Sequence, residues 1–149
     1  MTLRNRMLSD GVVDLKLSRI ERAGLFKPLS YIYDIYINNT NTQIGRCDYR
    51  VENNEENYYA GNIGYMIYQD YRGHHYAYCA ATLLCDLAKR LKAESLIITC
   101  SPENKASHRT IERLGAKLIE KTTVPIDHFL HKQGERVKLI FEIDLRERN

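Results

Sequence analysis

Residues 61–77 read GNIGYMIYQDYRGHHYA, the stretch in which the chain changes from a strand pattern to a helix pattern. The apolar residues at about Asn62–Tyr68 predict a strand that leads into a turn. From His75 to Ala93, apolar residues recur at the three- and four-residue spacing of an amphipathic helix. A strand, a short turn and a helix in this order indicate an α/β fold.

The turn before this helix has the composition of a phosphate-binding site. Backbone N–H groups without partners converge at a helix N-terminus, where the helix dipole adds positive potential. Gly73 and Ala77 leave room for a ligand to approach the backbone, and Arg72 can add a charge-assisted contact. The sequence therefore predicts a diphosphate site here, with an ordinary βα turn as the open alternative.

Outward from this unit, the patterns predict one domain over residues 1–149, in the order β-β-β-β-α-β-α-β-β. The segment at 52–57 is predicted as a polar loop, and the segment at 125–135 as a loop that contacts an acceptor or a second subunit, or as a plain surface hairpin. A second helix is predicted between Ser101 and Gly115. The remaining predicted strands are Val12–Ile20, Tyr31–Ile37, Ile44–Val51, Ser95–Cys100, Lys117–Val124 and Val137–Leu145.

Composition excludes several classes of function. The net charge of +3 is too small to indicate nucleic-acid binding. No apolar run approaches the ~20 residues of a membrane span, and the first ten residues do not resemble a secretory signal. The four cysteines lack metal-ligand spacing, which predicts reduced thiols in a cytoplasmic protein, and the adjacent His74 and His75 point apart, which predicts no metal site.

Two segments carry a resemblance to a known family. The pattern Arg72-x-x-His75-x-Ala77 resembles the R/Q-x-x-G-x-G/A signature of the GNAT superfamily of N-acetyltransferases. Downstream, the residues of Asn104–Gly115 resemble the second conserved segment of that superfamily, at the right separation. The likeness covers about residues 44–145 and is closest to the branch of the ribosomal-protein alanine N-acetyltransferases.

The resemblance implies a mixed, mostly antiparallel sheet flanked by helices, with acetyl-CoA as the cosubstrate. It implies that the strands at Asn62 and Leu96 splay apart to admit the thioester. The backbone of three strand residues would pair with the pantetheine arm: Met66, Ile67 and Tyr68. The pyrophosphate would be bound by the turn and helix start: Arg72, Gly73, His74, His75, Tyr76, Ala77 and Tyr78. Asn104 would contact the cofactor arm or cap its helix, and Ser107 would lie near the thiol or the phosphates.

The chain also departs from the family pattern. His75 replaces the usual middle glycine, so its side chain must point away from the phosphates. Asn62 and Ile111 stand where many relatives carry a glutamate base and a tyrosine acid. Only about ten residues, 21–30, stand where the family has a helical pair between its first two strands, so this pair is expected to be shortened or absent.

The predicted activity is direct acetyl transfer, in a ternary complex, to a primary amine on a small molecule or peptide. The attacking amine must be neutral, and a water held by Asn62 or Asp48 would relay its proton. Asp48 is open to a second interpretation as a solvated strand residue. A non-catalytic acyl-CoA-binding module is the alternative function, and a homodimer is predicted because a second subunit could complete the acceptor pocket.

Overall fold

The computed structural model describes residues 2–25 and 27–148, in which five α-helices and eight β-strands occur. The helices are α1 (Leu3–Arg6), α2 (Glu55–Ala60), α3 (Tyr76–Arg90), α4 (Lys105–Arg113) and α5 (Phe129–Lys132). The strands are β1 (Met7–Ser9), β2 (Val13–Ala23), β3 (Lys27–Ile37), β4 (Gln43–Arg50), β5 (Ile63–Ile67), β6 (Ser95–Cys100), β7 (Lys117–Thr123) and β8 (Val137–Asp144). Single 3₁₀ turns lie at Gln69–Tyr71 and Leu145–Glu147.

The strands form two sheets, in the orders β1-β2-β3-β4-β5 and β6-β8-β7, and every ladder between described strands is antiparallel. Next to the start of β5, the Asn62 N–H donates to the carbonyl of Ile97 in β6 at 2.7 Å. Within the described strands no ladder continues this contact, so the two sheets diverge beyond it. The predicted splay is therefore present.

One apolar core joins both sheets to α3. Ile35 from the first sheet, Ile98 from the second and Leu84 from α3 are all fully or almost fully buried. Side chains along a strand alternate between the two faces of the sheet, and the apolar residues of α3 lie on one face of the helix. Both patterns bring these apolar side chains to a common interior. This packing fixes the N-terminus of α3 beside the end of β5, where the strand-to-helix turn lies.

The predicted fold class is confirmed, including the absence of the helical pair. Residues 21–30 extend the hairpin of β2 and β3 instead, and Glu21 pairs with Ser30 in register. Gly24 adopts a left-handed backbone in the turn, with a φ of 71°. The open face of the first sheet is therefore not covered by helices from this part of the chain.

Four short elements were not predicted from the sequence. Helix α2 begins inside the predicted polar loop and extends beyond it to Ala60, and Asn54 caps it by accepting from the Asn57 N–H at 2.8 Å. The predicted loop at 125–135 contains α5, capped by the His128 ring. The segment formed by α1 and β1 was not predicted, because so few residues cannot establish a periodic pattern.

Candidate functional site

A cleft of about 650 Å³ lies between the end of β5, the N-terminus of α3 and the facing side of α4. We call it the α3 cleft. It brings together ten of the twelve predicted cofactor-binding residues: Met66, Ile67, Arg72, Gly73, His75, Tyr76, Ala77, Tyr78, Asn104 and Ser107. Of the other two, His74 is exposed with its ring 5.5 Å from that of Tyr76, and Tyr68 does not line the cleft.

The N-terminus of α3 presents unpartnered backbone donors to this cleft. No side chain caps the helix, and the first intrahelical bond runs from the Cys79 N–H to the His75 carbonyl. Among the described residues, the N–H groups from Gly73 to Tyr78 have no hydrogen-bond partner. An anion can therefore be bound by several N–H groups and by the dipole of a 15-residue helix.

His75 makes this geometry possible through an unusual backbone conformation. Its φ of 63° and ψ of 19° place it in the left-handed region, which glycine adopts without strain and other residues rarely adopt. The residue therefore takes the backbone shape of the glycine it replaces in the family motif. The sequence pattern identified the position but not the strain that histidine brings there.

The charge of the α3 cleft is positive. Arg72, Arg109 and Arg113 line it, and its lining residues include no aspartate or glutamate. Arg109 and Arg113 are four residues apart on α4, so they lie on one helix face. The Arg113 guanidinium lies 4.1 Å from the centre of the Tyr78 ring, a cation–π contact that positions it at the start of α3.

The two arginines of α4 received no role from the sequence, although both fall inside the second family segment. Their spacing of four residues after the Asn104 cap was the available signal. The arginine of the first motif is held differently, since the Arg72 Nε donates to the Ile67 carbonyl at 2.8 Å. This bond ties the strand end to the turn and leaves the other nitrogens of the guanidinium for a ligand.

Asn104 has the capping role that the sequence left open. Its Oδ1 accepts from the Ser107 N–H at 3.1 Å at the N-terminus of α4. Its Nδ2 makes no hydrogen bond within the described part of the chain and lies at the α3 cleft. Capping and ligand binding are thus compatible for this side chain.

Tyr65 spans the α3 cleft from β5 to α4. Its hydroxyl and the Ser107 hydroxyl are hydrogen-bonded at 3.0 Å. Burial raises the pKa of Tyr65, and the hydrogen bonds to Ser107 and Thr110 oppose that shift. The phenol is therefore protonated at neutral pH and can donate a hydrogen bond inside the cleft.

The backbone hydrogen bonds of β5 bear on the predicted pairing of Met66, Ile67 and Tyr68 with the pantetheine arm, which stays a prediction. The Tyr68 N–H donates to the Ile44 carbonyl at 2.8 Å, and the Tyr68 carbonyl accepts from Tyr71, so both backbone groups are used. Alternate residues of an antiparallel strand direct their N–H and C=O groups to opposite sides, so Met66 faces β4 like Tyr68. The edge toward the gap is therefore formed by the backbone of Tyr65 and Ile67.

Asn62, one of the two predicted catalytic residues, lies at the apex of the gap and is 2% exposed. Its Nδ2 donates to the Arg50 carbonyl at 3.0 Å and the Glu52 carbonyl at 3.2 Å, and its Oδ1 accepts from the Ile97 N–H at 2.8 Å. These bonds join β4, β5 and β6. The amide is thus engaged in holding the strands, and its role as a water ligand stays a prediction.

Asp48, the other predicted catalytic residue, lies on β4 beside β5. Its carboxylate accepts two hydrogen bonds from Arg50, at 2.8 and 3.3 Å. A Cβ on Gly64 would lie 2.8 Å from the Asp48 Oδ1, so only glycine leaves room for this ion pair across β5. Burial raises the pKa of Asp48, while the Arg50 charge lowers it, which keeps the group a stronger base than an ordinary aspartate.

Other chemistry receives no support from the described residues. All four cysteines are free. No group of three or more histidine, cysteine or carboxylate side chains in the described ranges has the arrangement of a metal site. No helix within residues 2–25 and 27–148 is long and apolar enough to cross a membrane.

Solved structures of several acetyltransferases share the fold. A ribosomal-protein-S5-alanine acetyltransferase from Vibrio fischeri is 13% identical over 96% of this chain and 98% of its own, with a TM-score of 0.70. A GNAT-family acetyltransferase from Bacillus anthracis is 22% identical over 78% of this chain and 67% of its own, with a TM-score of 0.64. A microcin C7 self-immunity acetyltransferase, crystallised with acetyl-CoA and AMP, is 16% identical over 78% of this chain and 61% of its own, with a TM-score of 0.60.

The family model of the GNAT acetyltransferase domain matches residues 13–117, which include β2 to α4 and the whole first motif. No curated protein matches the chain. The solved structures are too distant in sequence to establish more than the fold, whereas the family model covers most of the chain and includes the residues of the α3 cleft. The chain belongs to the GNAT acetyltransferase domain family.

Proposed function

We propose that this protein binds acetyl-CoA in the α3 cleft and transfers the acetyl group to a primary amine by direct transfer in a ternary complex. The observation that carries the proposal is the uncapped N-terminus of α3, which faces a cleft with three arginines and no carboxylates. A ligand with several phosphate groups matches both features, because the amides and the arginines are all donors.

In this proposal, different residues of the α3 cleft bind different parts of the cofactor. The N–H groups from Gly73 to Tyr78 bind the diphosphate, and Arg109 and Arg113 neutralise phosphate charge from the opposite wall. The edge of β5 toward the gap, at the backbone of Tyr65 and the N–H of Ile67, hydrogen-bonds the amide groups of the arm in the manner of a strand. Asn104 adds a donor through its unpartnered Nδ2.

The bound acetyl-CoA supplies an activated acetyl group whose leaving thiol has an ordinary pKa of ~8.5. The protein must accept a proton from the attacking ammonium, whose pKa of ~10.4 otherwise keeps it unreactive. Of the two predicted residues, Asp48 is the stronger base, because it carries a carboxylate, whereas Asn62 carries a neutral amide whose Oδ1 already accepts from the Ile97 N–H. A water held by Asp48 is the proposed proton acceptor.

A non-catalytic acyl-CoA-binding module remains the second candidate. It is favoured by Asn62, whose side chain bonds three backbone groups and is a neutral amide rather than a carboxylate base at the apex of the gap. In this candidate the α3 cleft binds the same ligand, and no acceptor amine is deprotonated. The two candidates therefore agree on binding and differ on turnover.

Calorimetric titration with CoA, followed by a thiol-release assay with acetyl-CoA and a panel of amines, tests both candidates. Saturable binding with amine-dependent release of CoA is the expected result. Binding without release for any amine would favour the non-catalytic module. The absence of binding would overturn both candidates.

A further inference from the structure

A second cavity, of about 520 Å³, lies under α2 and shares no lining residue with the α3 cleft. We call it the α2 cavity. Ser95 and Ile97 form part of its floor, and they alternate along β6 with Leu96 and Ile98, which belong to the core under α3. Because successive side chains of a strand point to opposite faces, the α2 cavity opens on the sheet face away from α3.

The wall of the α2 cavity is held in place by contacts on several sides. The Tyr58 hydroxyl donates to the Glu120 carboxylate on β7. The Tyr59 carbonyl accepts from the Thr99 hydroxyl at 3.0 Å, and the Tyr59 ring packs edge-on against His128. The cavity is thus formed before any ligand binds.

Two carboxylates line the α2 cavity, and both belong to side chains that are exposed to solvent. Glu55 and Glu142 line it, and neither makes an ion pair in the described part of the chain. Lys117 on β7 pairs in register with Glu142 on β8, but the two side chains do not form an ion pair. No lysine, arginine or histidine lines the cavity.

One buried polar group also points to a ligand that donates hydrogen bonds. Asn57 lines the cavity and is only 9% exposed. Its Nδ2 donates to the Glu52 carbonyl at 2.7 Å, whereas its Oδ1 has no hydrogen-bond partner among the described residues. Together with the rings of Tyr58 and Tyr59, which can attract a cation, these acceptors fit a positively charged donor.

Asn62, at the apex of the gap between β5 and β6, also lines the α2 cavity. We infer that the α2 cavity binds an alkylammonium group, and that this group is the second positive charge of the amine acceptor. The identification of the ligand as an acceptor rests on the proposed function, but the binding of the cation does not. A free aliphatic diamine and a lysine side chain in a peptide share this chemistry. The acceptor would then be a dibasic molecule or a lysine-containing peptide, rather than a neutral or acidic amine.

The test is calorimetric titration of the protein, without CoA, at low ionic strength. The probes are 1,5-diaminopentane, a blocked lysine residue and, as a neutral control, 1,5-pentanediol. The variants are Glu142→Gln and Glu55→Gln, each nearly isosteric. Glu147→Gln, an exposed residue outside the cavity, loses the same charge and serves as the matched control.

The expected result is saturable binding of at least one cationic probe and none of the diol. Glu142→Gln and Glu55→Gln should each weaken that binding about tenfold, the loss of one charge-assisted contact, while Glu147→Gln leaves it unchanged. Whichever cationic probe binds identifies the source of the ammonium group. No saturable binding, or equal weakening by Glu147→Gln, would overturn the inference.

CoA titration of the same variants separates this inference from the proposed function. If CoA binds normally and the cations do not, the α2 cavity proposal fails alone. If the cations bind and CoA does not, the cofactor proposal fails while the cation site stands. Unchanged CoA binding in Glu142→Gln also shows that the variant is folded.

Discussion

Asn62 and Ile97 bond each other in both directions: the Asn62 N–H donates to the Ile97 carbonyl at 2.7 Å, and the Ile97 N–H donates to the Asn62 Oδ1 at 2.8 Å. A side chain thus replaces a backbone carbonyl where the ladder between β5 and β6 would begin. The Gly61 position brings the backbones close here, since an added Cβ would lie 3.4 Å from the Thr99 nitrogen. The pair closes the apex from which the two sheets diverge.

Asn62→Ala should destabilise the protein by about 3 kcal/mol, because it removes three hydrogen bonds and leaves the partly buried Ile97 N–H without its acceptor. The free energy of unfolding, measured in urea, checks this value. Asn53→Ala, at an exposed neighbour, should change it by less than about 0.5 kcal/mol. Equal changes in the free energy of unfolding for the two substitutions would show that the hydrogen bonds of Asn62 do not stabilise the apex.

Arg113→Ala and Arg109→Ala should each weaken acetyl-CoA binding about tenfold, because each removes a charge-assisted contact to a phosphate group. Binding of acetyl-pantetheine, which lacks the diphosphate, should hardly change. Arg19→Ala, at an exposed arginine on β2 that pairs with Glu21, is the matched control. Equal losses for the two ligands would place the arginines elsewhere than at the phosphates.

His75→Gly should raise the free energy of unfolding by up to about 1 kcal/mol. It relieves a left-handed conformation that costs other residues about 1–2 kcal/mol, and the lost chain entropy of glycine offsets part of that gain. CoA binding should be retained. His74→Gly, at an adjacent exposed residue without a positive φ, should instead destabilise the protein, and thermal melts of both variants distinguish the cases.

Stability should fall as the pH rises from about 10 to about 12, because of Tyr49. Burial raises the pKa of Tyr49 to about 12, with a smaller contribution from the stacked Tyr31. The unfolded chain releases this proton near pH 10, so the contribution of Tyr49 to stability is complete below pH 10 and disappears as the pH passes the folded value.

Urea unfolding at pH 9 and pH 11.5 measures this effect. Tyr49→Phe cannot ionise, so its stability should decline less between the two pH values than that of the unsubstituted protein. A smaller decline still remains, since burial also raises the pKa of Tyr33. Identical declines in the two proteins would contradict the assignment to Tyr49.

The long periodic elements could be predicted from the sequence because their apolar residues form one face. The span from His75 to Ala93 became α3, and Ser95–Cys100 became β6 with unchanged bounds. The helix α2 was missed because it is short and polar and depends on the Asn54 cap. The motif at Arg72 located the α3 cleft, because the motif is a continuous stretch of sequence. Its position does not depend on contacts between residues that are distant in sequence.

The parts of the site that depend on strand pairing could not be predicted from residue types. Which backbone groups of β5 face the gap follows from the register Gly45↔Ile67, and a shift of one residue would exchange Met66 for Tyr65. The engagement of Asn62 likewise depends on β4 and β6, which are distant in sequence. The residue types showed which hydrogen bonds these groups are able to form. The pairing of the strands determined which of those hydrogen bonds are formed.

Amide chemical shifts during a CoA titration test the central claim most directly, because they report on the N–H groups at the start of α3. The largest changes are predicted at Gly73 to Tyr78, with smaller ones along the α4 face that carries Arg109 and Arg113. Amides of β7, remote from the cleft, should not move and serve as the internal reference. Saturation of CoA binding without changes at Gly73 to Tyr78 would contradict the account.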